Sequence, residues 1–184
     1  RRQLFVTSFV LLFALATISG NASGSTVQFE LTAVDAAGNP ITEVAVGSRF
    51  SLLGTVRDLR PAPQGVFSGY LNIHYDDPIV TPEAQNVNHF SHFLNGTSAE
   101  FASPGNIAKL GGTADLSPTG AGTFDLFSVE FQALAAGIVN FTGDPTVGNR
   151  FATTVYGLNR RMEPADIVFS NTSLTIVPEP SALI

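Results

Sequence analysis

The sequence contains no cysteine and no tryptophan, and it contains a single lysine, Lys109. Without cysteine, the fold cannot depend on a disulfide bond or on a metal site built from thiolates. Charged residues make up only 13% of the chain, and the formal net charge is −6. Binding to nucleic acid requires clustered Lys and Arg side chains that neutralise phosphates. Apart from the adjacent Arg160 and Arg161, the basic residues are scattered, so nucleic acid is not expected as a partner.

The residues that are abundant are typical of short strands joined by tight turns. The chain has 15 Phe, 17 Gly and 11 Pro. Aromatic side chains favour strands, whereas Gly and Pro favour turns. After residue 25, no apolar stripe with a 3.6-residue period reaches the length of a helix. These features predict an all-β chain with one globular domain and its own core.

Alternation of apolar and polar residues supports this class, since it is the period of a half-buried strand. In residues 65–75, Leu71 and Ile73 share one face, and Tyr70, Asn72 and His74 share the other. We therefore expect the first two in the core and the other three to point outwards, where substitutions should cost much less stability. Similar alternation occurs in residues 27–33, 50–56, 127–133, 139–141 and 174–176. Turn residues at 35–40 and 60–64 separate these segments.

Residues 1–24 have the three parts of a secretory signal peptide. Arg1 and Arg2 precede an apolar run at residues 4–18, and small polar residues follow it. The apolar run is shorter than the ~20 residues needed to span a bilayer. We predict that residues 1–24 are removed on export and that residues 25–177 form the secreted or cell-surface domain.

The other end carries Pro178, Glu179 and Pro180, followed by the apolar residues 182–184. This segment resembles the start of a PEP-CTERM sorting signal, in which Pro-Glu-Pro precedes a hydrophobic helix and a basic cluster. The resemblance implies an exported bacterial protein that is held transiently in the membrane and then processed at the cell surface. Residues 178–184 would begin an anchor segment that continues past Ile184. The alternative interpretation is an ordinary Pro-rich linker.

Residues 26–177 resemble a cohesin-like domain of the carbohydrate-binding-module and cohesin superfamily. The resemblance is carried by the Asp-x-x-Gly-Asn-Pro turn at 35–40, by the strand at 65–76 that ends in Tyr-Asp, and by the segments 126–131 and 136–142. It implies a jelly-roll sandwich of about nine strands. It also implies a protein partner of dockerin type, bound on a flat sheet face. Tyr70, Asn72 and His74 are the candidate binding residues, because an aromatic beside polar groups is typical of recognition surfaces.

Sites of catalysis or metal binding are less well supported. His89 and His92 are three residues apart, but they lack a third ligand for zinc. Asp35, or Asp76 with Asp77, offers oxygen ligands for calcium, although such residues commonly close turns. Glycoside hydrolysis needs two converging carboxylates, and the acidic residues are few and spread along the chain: Asp76, Glu83, Asp125 and Glu130. No nucleophile motif or phosphate-binding loop is present. We therefore expect no catalytic residues, cofactor or bound metal.

The sequence thus favours a non-catalytic extracellular module that binds or scaffolds a protein. The alternative is a carbohydrate-binding module of the extracellular matrix, with polysaccharide as the ligand. Its sites usually present stacked aromatic rings, and the absence of Trp with only 3 Tyr argues against such a platform. An exported glycoside hydrolase is a third and weaker possibility.

Overall fold

The fold is described from a computed structural model that covers residues 25–146, 148 and 150–179, with Gln85 described for its backbone only. The predicted signal peptide, residues 1–24, lies outside these residues, as do Pro180 and residues 181–184. Among the described residues, no helix is long and apolar enough to cross a membrane.

The described chain is built almost entirely from strands. Its only helical elements are two short 3-10 turns, Ser91–Phe93 and Pro164–Asp166. There are twelve strands: β1 Val27–Val34, β2 Glu43–Ala45, β3 Arg49–Asp58, β4 Val66–His74, β5 Val80–His89, β6 Asn95–Ser103, β7 Asn106–Thr113, β8 Thr123–Ala133, β9 Gly137–Pro145, β10 Thr154–Val155, β11 Ile167–Ser170 and β12 Thr172–Val177.

Two sheets pack face to face. The first sheet has the order β11-β1-β3-β8-β5, and the second has the order β2-β12-β9-β4-β7-β6, with the short β10 also pairing with β4. Most neighbours are antiparallel, while β11 lies parallel to β1 and β2 lies parallel to β12. The chain passes from the first sheet to the second between β11 and β12, which are separated only by Asn171.

The core lies between the two sheets and follows the predicted alternation. Leu71 and Ile73 are fully buried. On β8, the buried side chains are Leu126, Phe127, Val129, Phe131 and Ala133, and β9 and β12 contribute Val139, Phe141, Leu174 and Ile176. Aromatic rings meet edge to face in its centre, where the centroids of Phe131 and Phe141 are 5.1 Å apart. The predicted all-β sandwich is therefore confirmed. The number of strands exceeds the expected nine or so, since several are pieces of only two to four residues.

The predicted turn at residues 35–40 is present. Oδ1 of Asp35 accepts hydrogen bonds from the backbone N–H groups of Ala37 and Asn39 at 2.9 and 2.8 Å. These bonds lower the pKa of the Asp35 carboxyl below its ordinary value, with the bond from the Asn39 backbone acting most strongly. The conformation is that of a closed turn, and Gly38 supplies the positive φ of 83° that it needs.

Two segments whose composition is typical of loops and turns are strands. Residues 85–88 belong to β5, although they are mostly polar, and Gly111 and Gly112 lie inside β7, although paired glycines favour a turn. A Cβ atom on Gly111 would lie 1.9 Å from the carbonyl oxygen of Gly69, and one on Gly112 would lie 2.1 Å from that of Phe93. These glycines therefore permit close backbone approach rather than a reversal of the chain.

Candidate recognition face

The outer face of the second sheet carries a connected set of polar side chains. Here β4 lies between β9 and β7, with Asn72 opposite Asp144 and His74 opposite Thr142. Because neighbouring residues of a strand point to opposite faces, the burial of Leu71 and Ile73 directs Asn72 and His74 away from the core. We call this surface, on β9, β4, β7 and β6, the recognition face.

His74 and Asp144 form an exposed pair on the recognition face. Nε2 of His74 lies 3.3 Å from Oδ1 of Asp144, and about half of each side chain remains accessible to solvent. A polar contact this exposed contributes little to stability, about 0–1 kcal/mol even where both groups are charged. The two groups are therefore available to exchange their mutual contact for contacts with a partner.

Asn72 has a different role, because its amide connects three strands. Its Oδ1 accepts a hydrogen bond from the backbone N–H of Lys109 on β7 at 3.1 Å. Its Nδ2 donates to Oδ1 of Asp144 at 3.3 Å and to the carbonyl oxygen of Pro145 at 3.4 Å, both on β9. The side chain is half-buried. Asn72 thus positions its neighbours, and the hydrogen-bonding capacity left for a ligand is small.

Replacing Asn72 by Ala is expected to lower the free energy of unfolding by about 1–3 kcal/mol, since the Lys109 N–H would lose its acceptor. This exceeds what the sequence alone suggested for an outward-facing residue. Urea unfolding of N72A and of T142A, a variant at an exposed residue on the adjacent strand, measures the difference. Equal and small losses in both variants would contradict the bridging role.

The Asn72 bond supports a bulge in β7. Leu71 pairs with Leu110 and Ile73 pairs with Ile107, so Ala108 and Lys109 together oppose Asn72. Lys109 has φ of 52° and is the one non-glycine with positive φ among the described residues. In such bulges the left-handed position is usually taken by Gly. The ammonium of Lys109 lies 2.9 Å from both carboxylate oxygens of Glu100 on β6. This contact extends the recognition face to the edge of the sheet.

Tyr70 does not point into solvent, and this part of the prediction is wrong. Its side chain is only 3% exposed. The hydroxyl donates to the carbonyl oxygen of Gly96 at 2.6 Å and lies 3.1 Å from Oγ1 of Thr113. Tyr70 is therefore on the outer side of β4 but is covered by other parts of the chain.

The covering segment consists of Thr146 and residues 150–153, which connect β9 to β10. Oγ1 of Thr153 donates to the carbonyl oxygen of Tyr70 at 3.2 Å, and Oγ of Ser68 donates to the carbonyl oxygen of Ala152 at 2.7 Å. The ring of Phe151 meets the Tyr70 ring edge to face, with centroids 5.3 Å apart. These contacts place the covering segment over Ser68 and Tyr70 of β4, with Phe151 half-buried against Tyr70.

The two candidate zinc ligands serve other purposes. His89 ends β5, and its partly buried ring has an Nδ1 atom with no hydrogen-bond partner. Burial lowers the pKa of His89 below its ordinary value, which favours the neutral ring. His92 packs edge to face against Phe124 at 4.7 Å. Within the part of the chain that the structure describes, no three His, Asp or Glu side chains are grouped closely enough to hold a metal.

The candidate carboxylates are distributed over both sheets. Glu83 and Glu130 both contact Arg49, at 3.6 and 3.0 Å, on the first sheet. Asp76 instead accepts the backbone N–H of Asn140 at 2.9 Å on the second sheet. Asp125 lies on β8 and is exposed. Glu83 and Glu130 thus meet at one arginine, whereas Asp76 and Asp125 lie apart from them, and none of the four lines the surface cavities at residues 145–167 and 152–161.

The sequence analysis missed Lys109, Asp144 and Phe151. Asp144 continues the alternation of β9 beyond Phe141, so extending that pattern would have placed it outwards. No comparable signal exists for Lys109, whose position depends on the bulge, or for Phe151, whose position depends on a contact with Tyr70.

No protein-family model and no curated protein matches this sequence. Solved structures do match. The seventh ScaB type I cohesin of Pseudobacteroides cellulosolvens has a TM-score of 0.62 at 14% identity, and the match covers 88% of this chain and 97% of that chain. A non-cellulosomal cohesin of the archaeon Archaeoglobus fulgidus has a TM-score of 0.57 at 17% identity, covering 83% and 92%. A type I cohesin–dockerin complex of Clostridium thermocellum gives 0.59 at 10% identity, covering 84% and 95%. In fold, the chain is therefore a cohesin-like β-sandwich.

Proposed function

We propose that this chain is a non-catalytic module that binds a protein partner of dockerin type through the recognition face. The observation that carries the proposal is the cohesin-like fold together with a polar, solvent-accessible outer face on its second sheet. One similar structure is a cohesin in complex with a dockerin. A flat sheet face with exposed polar groups suits a protein surface better than it suits a small substrate, which requires a concave site.

The residues of the recognition face support contact rather than catalysis. Two contacts hold its polar side chains in place, one between His74 and Asp144 and one between Lys109 and Glu100. Each of these side chains keeps between about a third and a half of its surface exposed. Charged groups in this arrangement orient a partner and set its specificity more than they add affinity.

The proposed place of action is outside a bacterial cell. It is supported by the signal-peptide pattern of residues 1–24 and by Pro178, Glu179 and Pro180. The end of β12 lies beside the turn after β2, where Gly47 is close to Glu179, so Pro178 and Glu179 follow the last strand of the sandwich directly. A membrane-held segment after residue 180 would present the whole sandwich on the cell surface.

Surface plasmon resonance with the full-length chain immobilised and a panel of purified dockerin modules tests the partner class. We expect at least one module to bind, and we expect D144R to weaken that binding at least tenfold, because it reverses an accessible charge on the recognition face. D125R makes the same change on the first sheet and should leave the affinity unchanged. Retention on insoluble polysaccharide without binding to any dockerin would favour the carbohydrate-binding alternative.

A further inference from the structure

Phe151, in the covering segment, places an aromatic ring beside the recognition face. It is half-buried, whereas Tyr70 beneath it is almost fully buried and has its hydroxyl engaged by Gly96 and Thr113. Two cations lie against the Phe151 ring from different parts of the chain. Nζ of Lys109 and Cζ of Arg150 are each 5.4 Å from its centroid.

The position of Lys109 is costly for the backbone. An L-residue in the left-handed region is less stable than Gly there, and such conformations persist where the surroundings enforce them, often at ligand-contacting sites. Asn72 enforces this one by accepting the Lys109 N–H. As a result, the only lysine of the chain is held beside Phe151 at a point where Gly would be the more stable residue.

Arg150 adds a second positive charge at this place. It is exposed, and it forms no ion pair with any carboxylate that the structure describes. Glu100 neutralises Lys109, but no described carboxylate neutralises Arg150. The charge of Arg150 therefore stands beside the Phe151 ring without a described ion-pair partner, on a chain whose net charge is −6.

We propose that Phe151, Lys109 and Arg150 form the anchor of the recognition face, and that they receive a protein segment in which a carboxylate stands next to an apolar side chain. The apolar group packs on the Phe151 ring, and the carboxylate pairs with Arg150 and competes with Glu100 for Lys109. Aromatic and Arg side chains are the residues that most often dominate the binding energy of protein interfaces. The inference rests on the proposed function and specifies which part of the face carries the affinity.

The test uses the full-length chain and whichever module of the dockerin panel binds the wild type. Three variants change the anchor: F151A, R150Q and K109G. We expect F151A and K109G to weaken binding about tenfold or more, as hot-spot truncations do. K109G should also unfold at the same temperature as the wild type or at a higher one, because Gly suits the bulge. If Lys109 had only a structural role, its replacement would not weaken binding while leaving the stability unchanged. R150Q should flatten the dependence of affinity on NaCl concentration.

Two variants outside the recognition face serve as matched controls. R57Q changes an exposed arginine on the first sheet, and L116A truncates a side chain that is 90% exposed in the loop after β7. Both should bind as the wild type does. If D144R weakens binding while F151A, R150Q and K109G leave it unchanged, the anchor is refuted and the proposed function stands. If the wild type binds no module at all, the proposed function fails and the anchor fails with it.

Discussion

Replacing Asp58 by Ala is expected to lower the free energy of unfolding by about 3–5 kcal/mol, because it removes one partner of a buried ion pair. The Asp58 side chain is completely inaccessible to solvent. Oδ2 of Asp58 lies 2.6 Å from Nη2 of Arg60. The same oxygen accepts the backbone N–H groups of Gln64 and Gly65, each at 3.0 Å. The substitution would leave all of these donors without their acceptor.

The loss should spread beyond the loop at residues 59–65. Nη2 of Arg60 also donates to the carbonyl oxygen of Tyr156 at 2.8 Å, and the Tyr156 hydroxyl in turn donates to the carbonyl oxygen of Asp115. Asp58 therefore organises three loops at one end of the sandwich, and without it the guanidinium has no charge partner in this largely buried position.

The same carboxylate makes stability depend on pH. Burial acts to raise the pKa of Asp58, but hydrogen bonds from the Arg60 side chain and from the N–H groups of Arg60, Gly65 and Gln64 outweigh it, so the pKa lies below its ordinary value of 3.8. A lowered pKa in the folded state gives stability that is present above the unfolded-state pKa and is lost as pH falls through the folded-state value. The difference in stability between the wild type and D58A should therefore be full at pH 7 and should shrink below pH 3.8.

Urea unfolding of D58A across this pH range measures both effects. D125A is the matched control, since it removes an exposed carboxylate from β8. A D58A variant that is as stable as D125A at pH 7 would show that the buried pair contributes nothing beyond its own desolvation cost.

The second large effect is expected in the core. Leu71 has no accessible surface, and it lies on the central strand β4, which pairs with β7, β9 and β10. Truncation to Ala should cost about 2–5 kcal/mol, because the packed surroundings cannot collapse fully into the cavity. Phe169 and Leu71 both lie over Gly143 on β9, and this glycine has no side chain that could fill the cavity.

Chemical denaturation of L71A tests this prediction, with T175A as the control at an exposed residue of the same sheet. A midpoint shift in L71A no larger than that of T175A would mean that the assignment of β4 faces is wrong. The denaturant slope should stay the same in both variants, since each changes stability without changing the surface that unfolding exposes.

The sequence by itself determined which faces of the main strands are apolar. Alternation depends only on the strand period, and the structure reproduces it at residues 27–33, 50–56 and 127–133 and, within 65–75, from Leu71 onwards. Alternation did not identify β5 and β7 as strands. Gly111 and Gly112 have the composition of a turn, and only the close approach of β4 and of the Phe93 backbone shows why glycine is needed in a strand.

Tertiary structure decided what each outward side chain contacts. The parity of β4 correctly placed Tyr70 opposite Leu71, but its burial depends on Thr153 and Phe151, about 80 residues later in the chain. The bulge that holds Lys109 in turn requires the amide of Asn72, 37 residues away. Strand periodicity is a local property of the backbone, and a single sequence therefore reveals it. The pairing of distant segments depends on the summed packing of the whole chain, and so the shape of the recognition face emerged only from the fold.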